Sequence, residues 1–130
     1  MKFLVTGANG QLGKAFVEHF THAGVSFVSA RHEECDICRE DAIRQLLDAS
    51  RPDVVINCAA YNQVDEAEDN GALAFAVNAE ASRIIARNCL SRRIKMVHFS
   101  TNYVFDGRKR QPYVESDPTC PINVCGKSKL

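Results

Sequence analysis

Short apolar runs alternate along this chain with segments whose apolar residues have helical spacing. The apolar runs are Lys2–Thr6, Val25–Ala30, Val54–Cys58 and Ile94–Ser100. They are rich in Val, Ile and Phe, which is typical of strands buried on both faces of a sheet. The segments with helical spacing are Gln11–His22, Glu40–Ser50 and Ala72–Leu90, the last with an expected break near Asn78. This alternation predicts an α/β fold, a doubly wound parallel sheet with helices on both faces.

Two stretches depart from the alternation. Glu33–Ile37 follows the second apolar run too closely for a parallel crossover, which needs about a dozen residues, so we expect a short extended stretch there. Residues 101–130 are loop-like and hold all but one of the four prolines. With no internal repeat and no linker in 130 residues, a single domain is expected.

The composition excludes several classes of protein. Apolar residues make up 45% of the chain and charged residues 25%, as in ordinary globular domains. Sixteen basic residues balance sixteen acidic ones, which predicts no attraction to nucleic acid or to an anionic membrane. The apolar opening Met1–Val5 is too short for a signal peptide or a membrane span. We therefore expect a cytoplasmic protein.

Six cysteines raise the question of zinc or disulfides. Cys35 and Cys38 form a C-x-x-C pair, but Cys120 and Cys125 are spaced too loosely for the second pair of a zinc ribbon. We interpret all six as reduced structural thiols and expect no metal site.

A glycine-rich loop joins the first predicted strand to the first predicted helix. Gly7, Gly10 and Gly13 have the spacing G-x-x-G-x-x-G within the segment Thr6–Gly13. Such glycines allow a sharp turn, a close approach of the backbone to a diphosphate and tight packing of helix on strand. The helix N-terminus then offers free N–H groups to the phosphates. The loop predicts a Rossmann-type domain that binds NADP(H) or NAD(H).

The position after the second strand bears on the choice of cofactor. Many dinucleotide-binding folds have an acidic residue there for the ribose of NAD, but this chain has Arg31. A guanidinium suits a 2′-phosphate and favours NADPH. The alternative is a solvated arginine on a loop, so both cofactors remain open.

Further motifs carry a family resemblance. They are Asn57–Tyr61, Val64–Glu68, His98–Gly107, Pro112–Asp117 and Pro121–Leu130. Together with the glycine loop they closely resemble the dTDP-4-dehydrorhamnose reductase family, which are extended short-chain dehydrogenases/reductases. The resemblance covers the whole chain, and its most specific part is the string S-T-x-Y-V-F-D-G that begins at Ser100.

The resemblance implies a reaction and a set of partners. Members of the family reduce the 4-keto group of dTDP-4-dehydro-6-deoxy-L-mannose to give dTDP-L-rhamnose. This implies an NAD(P)-dependent oxidoreductase with a nucleotide-sugar substrate, and it leaves a homodimer open. In the family a tyrosine phenol protonates the keto oxygen, and a lysine four residues later makes the phenol more acidic and holds the nicotinamide ribose.

Site residues follow from the resemblance position by position. The catalytic positions are Thr101, Cys125 and Lys129. The cofactor-binding positions are Gly7, Gly10, Gln11, Leu12, Asp36, Ile37, Ala60, Tyr61, Phe99 and Lys129. The substrate-binding positions are Thr101 and Asn102. Phe99 is alternatively a core residue, and Tyr61 a residue that only caps its loop.

The chain departs from the family pattern in two ways. Cys125 stands where the family has its tyrosine, and a thiol ends too close to the backbone to reach where a phenol oxygen would lie. Strongly reduced or absent turnover is therefore expected. The family also needs substrate-domain residues beyond Leu130, so we expect residues 1–130 to be a partial NAD(P)-binding domain whose last helix has little to anchor it.

Two other functions remain open at this stage. One is a nucleotide-binding regulatory subunit that has lost catalysis, as in relatives that regulate methionine adenosyltransferase; the missing tyrosine favours it. The other is a sugar-nucleotide epimerase or dehydratase, which the string starting at Ser100 disfavours.

Overall fold

The structure, a computed structural model, describes residues 1–130 and contains one parallel sheet of four strands. The strands are β1 (Lys2–Thr6), β2 (Ser26–Ala30), β3 (Val54–Asn57) and β4 (Lys95–His98). They are arranged in the order β2-β1-β3-β4, and each adjacent pair is parallel. The α/β fold class predicted from the sequence is confirmed.

Six α-helices connect or follow the strands. They are α1 (Gln11–His22), α2 (Glu40–Ser50), α3 (Val64–Asp69), α4 (Gly71–Phe75), α5 (Ala81–Ser91) and α6 (Val124–Lys129). A π-helical turn, Ala76–Glu80, joins α4 to α5, and a 3₁₀ turn covers Asn102–Val104. The long helical pattern is therefore interrupted around Asn78, as expected. No helix has both the length and the apolar character that crossing a membrane would require.

The two central strands, β1 and β3, are covered on both faces, to which their successive residues alternately point, whereas the edge strand β4 is largely exposed. On one side, Leu4 belongs to a core cluster with residues of α2 and α5, such as Ile43 and Ile85. On the other side, Val5 packs in a second cluster with Phe20 of α1. Covered on both sides, β1 and β3 have the near-continuous apolar character seen in the sequence.

The order of the strands places a crevice at their carboxyl ends. From β1 the chain passes first to β2 on one side of it, and the later strand β3 pairs with its other side. The connections that follow these strands therefore diverge between β1 and β3. Open α/β sheets bind their ligands at such a switch point.

The structure corrects two expectations. Glu33–Ile37 is not extended but forms turns, because the N–H groups of Glu34 and Cys35 both bond to the carbonyl of Arg31. These turns bury Cys35 and Ile37 in the core cluster that contains Leu4.

The second correction concerns α6, which is well anchored. Cys125, Gly126 and Ser128 are buried, and Asn123 caps the helix by accepting a hydrogen bond from the N–H of Gly126 at 2.7 Å. The helix packs against α3, α4 and the 3₁₀ turn. The sequence-based expectation failed because it considered only the short length of the helix and not these tertiary contacts.

Candidate active site

The glycine loop brings β1 into close contact with the segment that follows β3. Gly7 has a φ of +66°, and a Cβ built on it would lie 2.5 Å from the backbone nitrogen of Ala59. A Cβ on Gly13 would lie 2.2 Å from the carbonyl oxygen of Gly7. Both positions therefore require glycine, the first for backbone conformation and contact, the second for the approach of α1 to the loop.

The start of α1 is suited to a phosphate group. Gly10 is the N-cap and has no side chain to bond the first turn, and this turn contains no acidic residue. The backbone N–H groups of Gln11 and Leu12 have no acceptor within the protein. Free N–H groups at the positive end of a helix of 12 residues bind anions well. The residues present therefore fit the diphosphate of a dinucleotide cofactor.

Two adjoining cavities form a cleft over the carboxyl ends of the strands. The larger has a volume of about 430 Å³ and the smaller about 260 Å³, and Gly10, Cys58, Ala59, Ala60 and Tyr61 line both. Besides these, the larger is lined by Gln11, Leu12, Asn57, Asn62, Val64, Phe99, Ser100, Thr101, Tyr103, Cys125 and Lys129. The smaller adds Gly7, Asn9, His32, Asp36, Ile37, Cys38 and Val77.

The cleft brings together most of the residues proposed from the sequence. The larger cavity contains all three proposed catalytic positions, and the smaller contains the pair Asp36 and Ile37. Arg31 and Asn102 are not among the lining residues, and both are exposed. His32, which the sequence reasoning passed over, lines the smaller cavity instead of Arg31.

A buried asparagine holds the strand ends below the cleft. Asn57 Oδ1 accepts hydrogen bonds from Thr6 Oγ1 at 2.7 Å and from the N–H of Ala59 at 3.3 Å. Asn57 Nδ2 lies 3.1 Å from His98 Nδ1, and because an amide nitrogen only donates, the imidazole nitrogen is the acceptor. This network connects β1, β3 and β4. It fixes the backbone that forms the floor of the cleft.

A second buried asparagine, in the π-helical turn, fixes the cleft wall. Asn78 Oδ1 accepts from the N–H of Tyr61 at 2.9 Å, and Asn78 Nδ2 donates to the Tyr61 carbonyl at 2.8 Å. The same Nδ2 donates to Ser128 Oγ at 2.9 Å, and this hydroxyl donates to the carbonyl of Cys125. The segment after β3 and helix α6 are thereby joined through one side chain. π-helical turns are often found at functional sites.

The 3₁₀ turn after β4 packs directly on α6. Thr101 Oγ1 accepts a hydrogen bond from the N–H of Tyr103 at 3.2 Å and caps the turn. A Cβ on Gly126 would lie 2.1 Å from the carbonyl oxygen of Tyr103, so only glycine allows this contact. The turn and the helix therefore hold Thr101 and Tyr103 in a fixed relation to Cys125.

Lys129 reaches from α6 into the cleft. Its ammonium group donates to the carbonyl of Phe99 at 2.9 Å. Burial lowers the pKa of Lys129, an effect that Cys125 partly offsets. The side chain thus places a positive charge at the end of β4, beside the backbone that leads to Thr101.

Cys125 faces the cavity but is mostly enclosed by apolar groups. It is 5% exposed and forms a small cluster with Ala67 of α3 and Ala74 of α4. The other cysteine in the larger cavity is Cys58, whose pKa burial raises to about 11. All six cysteines are free thiols; Cys35, Cys89 and Cys125 are buried, whereas Cys38 and Cys120 are exposed.

Several residues that shape the site were missed in the sequence. Asn57, Asn78 and Ser128 do so through hydrogen bonds, and Gly126 by its small size. The first two had a detectable signal, because each is an amide inside an otherwise apolar strand or helix pattern, and buried polar groups are normally hydrogen-bonded. Ser128 and Gly126 had no detectable signal in the sequence, because their roles depend on tertiary contacts.

Comparison with known proteins places the chain in a family. Residues 1–130 match the family described as the RmlD substrate binding domain. The chain is 46% identical over 132 residues to a dTDP-4-dehydrorhamnose reductase of Burkholderia thailandensis, in an alignment covering 100% of the chain and 43% of that relative. The chain thus spans less than half the length of the relative it matches.

Solved structures give the same relationship. A dTDP-4-dehydrorhamnose reductase from Clostridium acetobutylicum superposes with a TM-score of 0.95 at 36% identity, covering 99% of this chain and 46% of that one. A second, from Bacillus anthracis in complex with NADP, gives a TM-score of 0.94 at 36% identity, covering 98% and 46% of the two chains. By this match in sequence and fold, the chain belongs to the RmlD substrate-binding-domain family.

Proposed function

We propose that this chain is the cofactor-binding, N-terminal part of an NAD(P)-dependent reductase of nucleotide sugars. Its reaction is the reduction of the 4-keto group of dTDP-4-dehydro-6-deoxy-L-mannose to dTDP-L-rhamnose. The observation that carries the proposal is that a single cavity is lined by the start of α1 at Gly10 and by Thr101 and Lys129. The names of the relatives, dTDP-4-dehydrorhamnose reductases that are 36–46% identical to the chain, support the same function.

The residues of the cleft divide between the two ends of a dinucleotide. The free N–H groups of Gln11 and Leu12 would hold the diphosphate, and Asp36 and Ile37 would lie against the adenosine half. Ala60, Tyr61 and Phe99 would lie toward the nicotinamide half. When bound, the reduced nicotinamide supplies the hydride that a keto carbon needs to become an alcohol.

The chain's own polar groups act on the oxygen of the keto group. As hydride reaches the carbon, negative charge develops on this oxygen and must be stabilised by hydrogen bonds or neutralised by a proton. Thr101 lines the cavity, and its hydroxyl, which here donates to Asn102 Oδ1 at 3.4 Å, would donate to the keto oxygen instead, with Asn102 as a neighbouring substrate contact. The ammonium of Lys129 adds a positive charge and would also hold ribose hydroxyls of the cofactor.

Titration of the chain with NADPH and with NADH, followed by nicotinamide fluorescence, tests the cofactor site. Arg31→Ala in parallel tests the preference for a 2′-phosphate, because it should weaken NADPH binding more than NADH binding if the guanidinium reaches the phosphate. His32→Ala is the comparison, since His32 and not Arg31 lines the smaller cavity. A folded sample that binds neither cofactor at millimolar concentration would overturn the proposal.

Turnover tests the reaction itself. The full-length protein that carries this chain is incubated with NADPH and the 4-keto sugar nucleotide, and the product alcohol is identified by mass spectrometry. Reduction of the sugar supports the reductase. Cofactor binding without reduction, also after Cys125→Tyr, contradicts it.

A non-catalytic nucleotide-binding subunit is the second candidate. The enclosure of Cys125 by Ala67 and Ala74, in the place of a catalytic tyrosine, favours it. Both candidates predict cofactor binding, so only turnover separates them.

A further inference from the structure

We propose that Tyr103 donates the proton to the keto oxygen in this protein, in place of the tyrosine that position 125 lacks. The inference rests on the proposed reductase function and adds to it the identity of the proton donor. It concerns a residue that neither the family resemblance nor the order of motifs assigns to this role.

The three tyrosines of the chain differ in what their hydroxyl groups contact. The hydroxyl of Tyr113 donates to Asp106 at 2.9 Å in the loop after the 3₁₀ turn, and the ring stacks on Phe105. The hydroxyl of Tyr61 donates to Glu66 at 3.3 Å. The hydroxyl of Tyr103 has no hydrogen-bond partner in the protein, and its ring lines the larger cavity. It is therefore the phenol that is free to bond a substrate there.

Tyr103 is also firmly positioned. Its N–H bonds to Thr101 Oγ1 at 3.2 Å, and its carbonyl lies against the backbone of Gly126. Tyr103 is 43% exposed, so its side chain is accessible to a ligand. Tyr103 therefore lines the same cavity as Thr101 and Lys129, and for a general acid such a location matters before acidity does.

The other candidate groups in the cavity are less suited. Burial and the neighbouring Glu66 raise the pKa of Tyr61, which makes this phenol a poorer acid. The thiol of Cys125 is short and enclosed by apolar side chains, so it reaches the substrate only through an intervening water.

The proton balance of the step is simple. The O–H bond of Tyr103 breaks and the O–H bond of the product alcohol forms, while the keto carbon receives the hydride and is reduced. The oxidised nicotinamide leaves as the second product. The phenolate of Tyr103 then regains its proton from water.

The test compares turnover of the full-length protein in three forms: wild type, Tyr103→Phe and, as matched control, Tyr113→Phe. Tyr103→Phe should lower kcat by about 100-fold or more, the usual contribution of a general acid, with NADPH affinity unchanged in a fluorescence titration. Tyr113→Phe should retain the wild-type kcat.

A second pair of variants, Cys125→Tyr and Cys125→Tyr with Tyr103→Phe, keeps the outcomes distinct. Once a phenol is present at position 125, loss of the Tyr103 hydroxyl should have little effect on kcat. Wild-type kcat in Tyr103→Phe, or a change in KM alone, overturns the assignment. An inactive wild type with an active Cys125→Tyr also overturns it but leaves the reductase function standing. If wild type and Cys125→Tyr both bind cofactor and neither reduces the sugar, the proposed reductase function is wrong, and so is the assignment of Tyr103 as proton donor.

Discussion

Asn78 and Tyr61 are joined by a pair of hydrogen bonds, in which the Asn78 amide accepts from the Tyr61 N–H at 2.9 Å and donates to the Tyr61 carbonyl at 2.8 Å. The backbone at Tyr61 has no neighbouring strand to pair with. The buried side chain of Asn78 makes the two hydrogen bonds that such a strand would have made. The third bond of the amide, to Ser128, extends the connection to the helix that carries Lys129. The segment after β3 and helix α6 therefore share one support.

Asn78→Ala should destabilise the chain and weaken cofactor binding together. Each buried polar group left without a partner costs about 1–3 kcal/mol, and here both backbone groups of Tyr61 lose their partner, so a loss of roughly 2–6 kcal/mol is expected. Urea unfolding measures this loss, and NADPH titration measures the effect on the cleft. Ser128→Ala is the control, since it removes only the link to α6 and should cost about 1 kcal/mol. Equal stability of the two variants would contradict the assigned role of Asn78.

Elements with a strong local pattern could be predicted from the sequence. The bounds of β1, α1 and α2 agree with the predicted Lys2–Thr6, Gln11–His22 and Glu40–Ser50, because each combines a regular apolar period with a glycine or charged residue at its ends. The glycine loop and its place after β1 followed from the same local information.

Features that depend on distant contacts could not be predicted. The turns at Glu33–Ile37 form because Cys35 and Ile37 fill the core under α2, which the local pattern does not reveal. The anchoring of α6 depends on Gly126 meeting the Tyr103 carbonyl and on Ser128 meeting Asn78. The free hydroxyl of Tyr103 became evident only when the partners of the other tyrosines were known.

Gly7→Ala should abolish cofactor binding and destabilise the chain more than Gly24→Ala does. Both glycines have positive φ, +66° and +64°, which costs an alanine about 1–2 kcal/mol. Only at Gly7 does the added methyl group also meet a neighbour, the nitrogen of Ala59 at 2.5 Å, whereas nothing lies within 4 Å of a Cβ on Gly24. The difference in unfolding free energy between the two variants isolates the contact between the loop and the segment after β3. Equal unfolding free energies of Gly7→Ala and Gly24→Ala would contradict a close contact between the loop and the segment after β3.

Gly126→Ala should displace the 3₁₀ turn from α6. The added methyl group would lie 2.1 Å from the Tyr103 carbonyl, which belongs to backbone and cannot move alone. A loss of at least about 1–3 kcal/mol is expected, as for other overpacked sites. Gly71→Ala is the matched control, because its Cβ would meet only a Val124 methyl group at 3.6 Å and alanine favours a helix. Thermal unfolding compares the two, and a neutral Gly126→Ala would contradict the close packing of turn and helix.

The pH dependence of stability should carry a contribution from Lys129. Burial holds the pKa of this ammonium below its usual 10.5, so between the two values the unfolded chain binds more protons than the folded chain. Stability therefore rises with pH across that window, and below the folded-state pKa the full cost of burying the charge is present.

Lys129→Met removes the titrating group and with it this rise in stability. Lys127→Met, at an exposed position on the same helix, should leave the rise in stability unchanged. Urea unfolding is measured from neutral pH to about 10.5. The free energy of unfolding of the wild type should increase with pH relative to that of Lys129→Met, while that of Lys127→Met should follow the wild type in parallel. A constant difference between wild type and Lys129→Met at all pH values would mean that Lys129 titrates alike in both states, and that the cleft does not bury its charge.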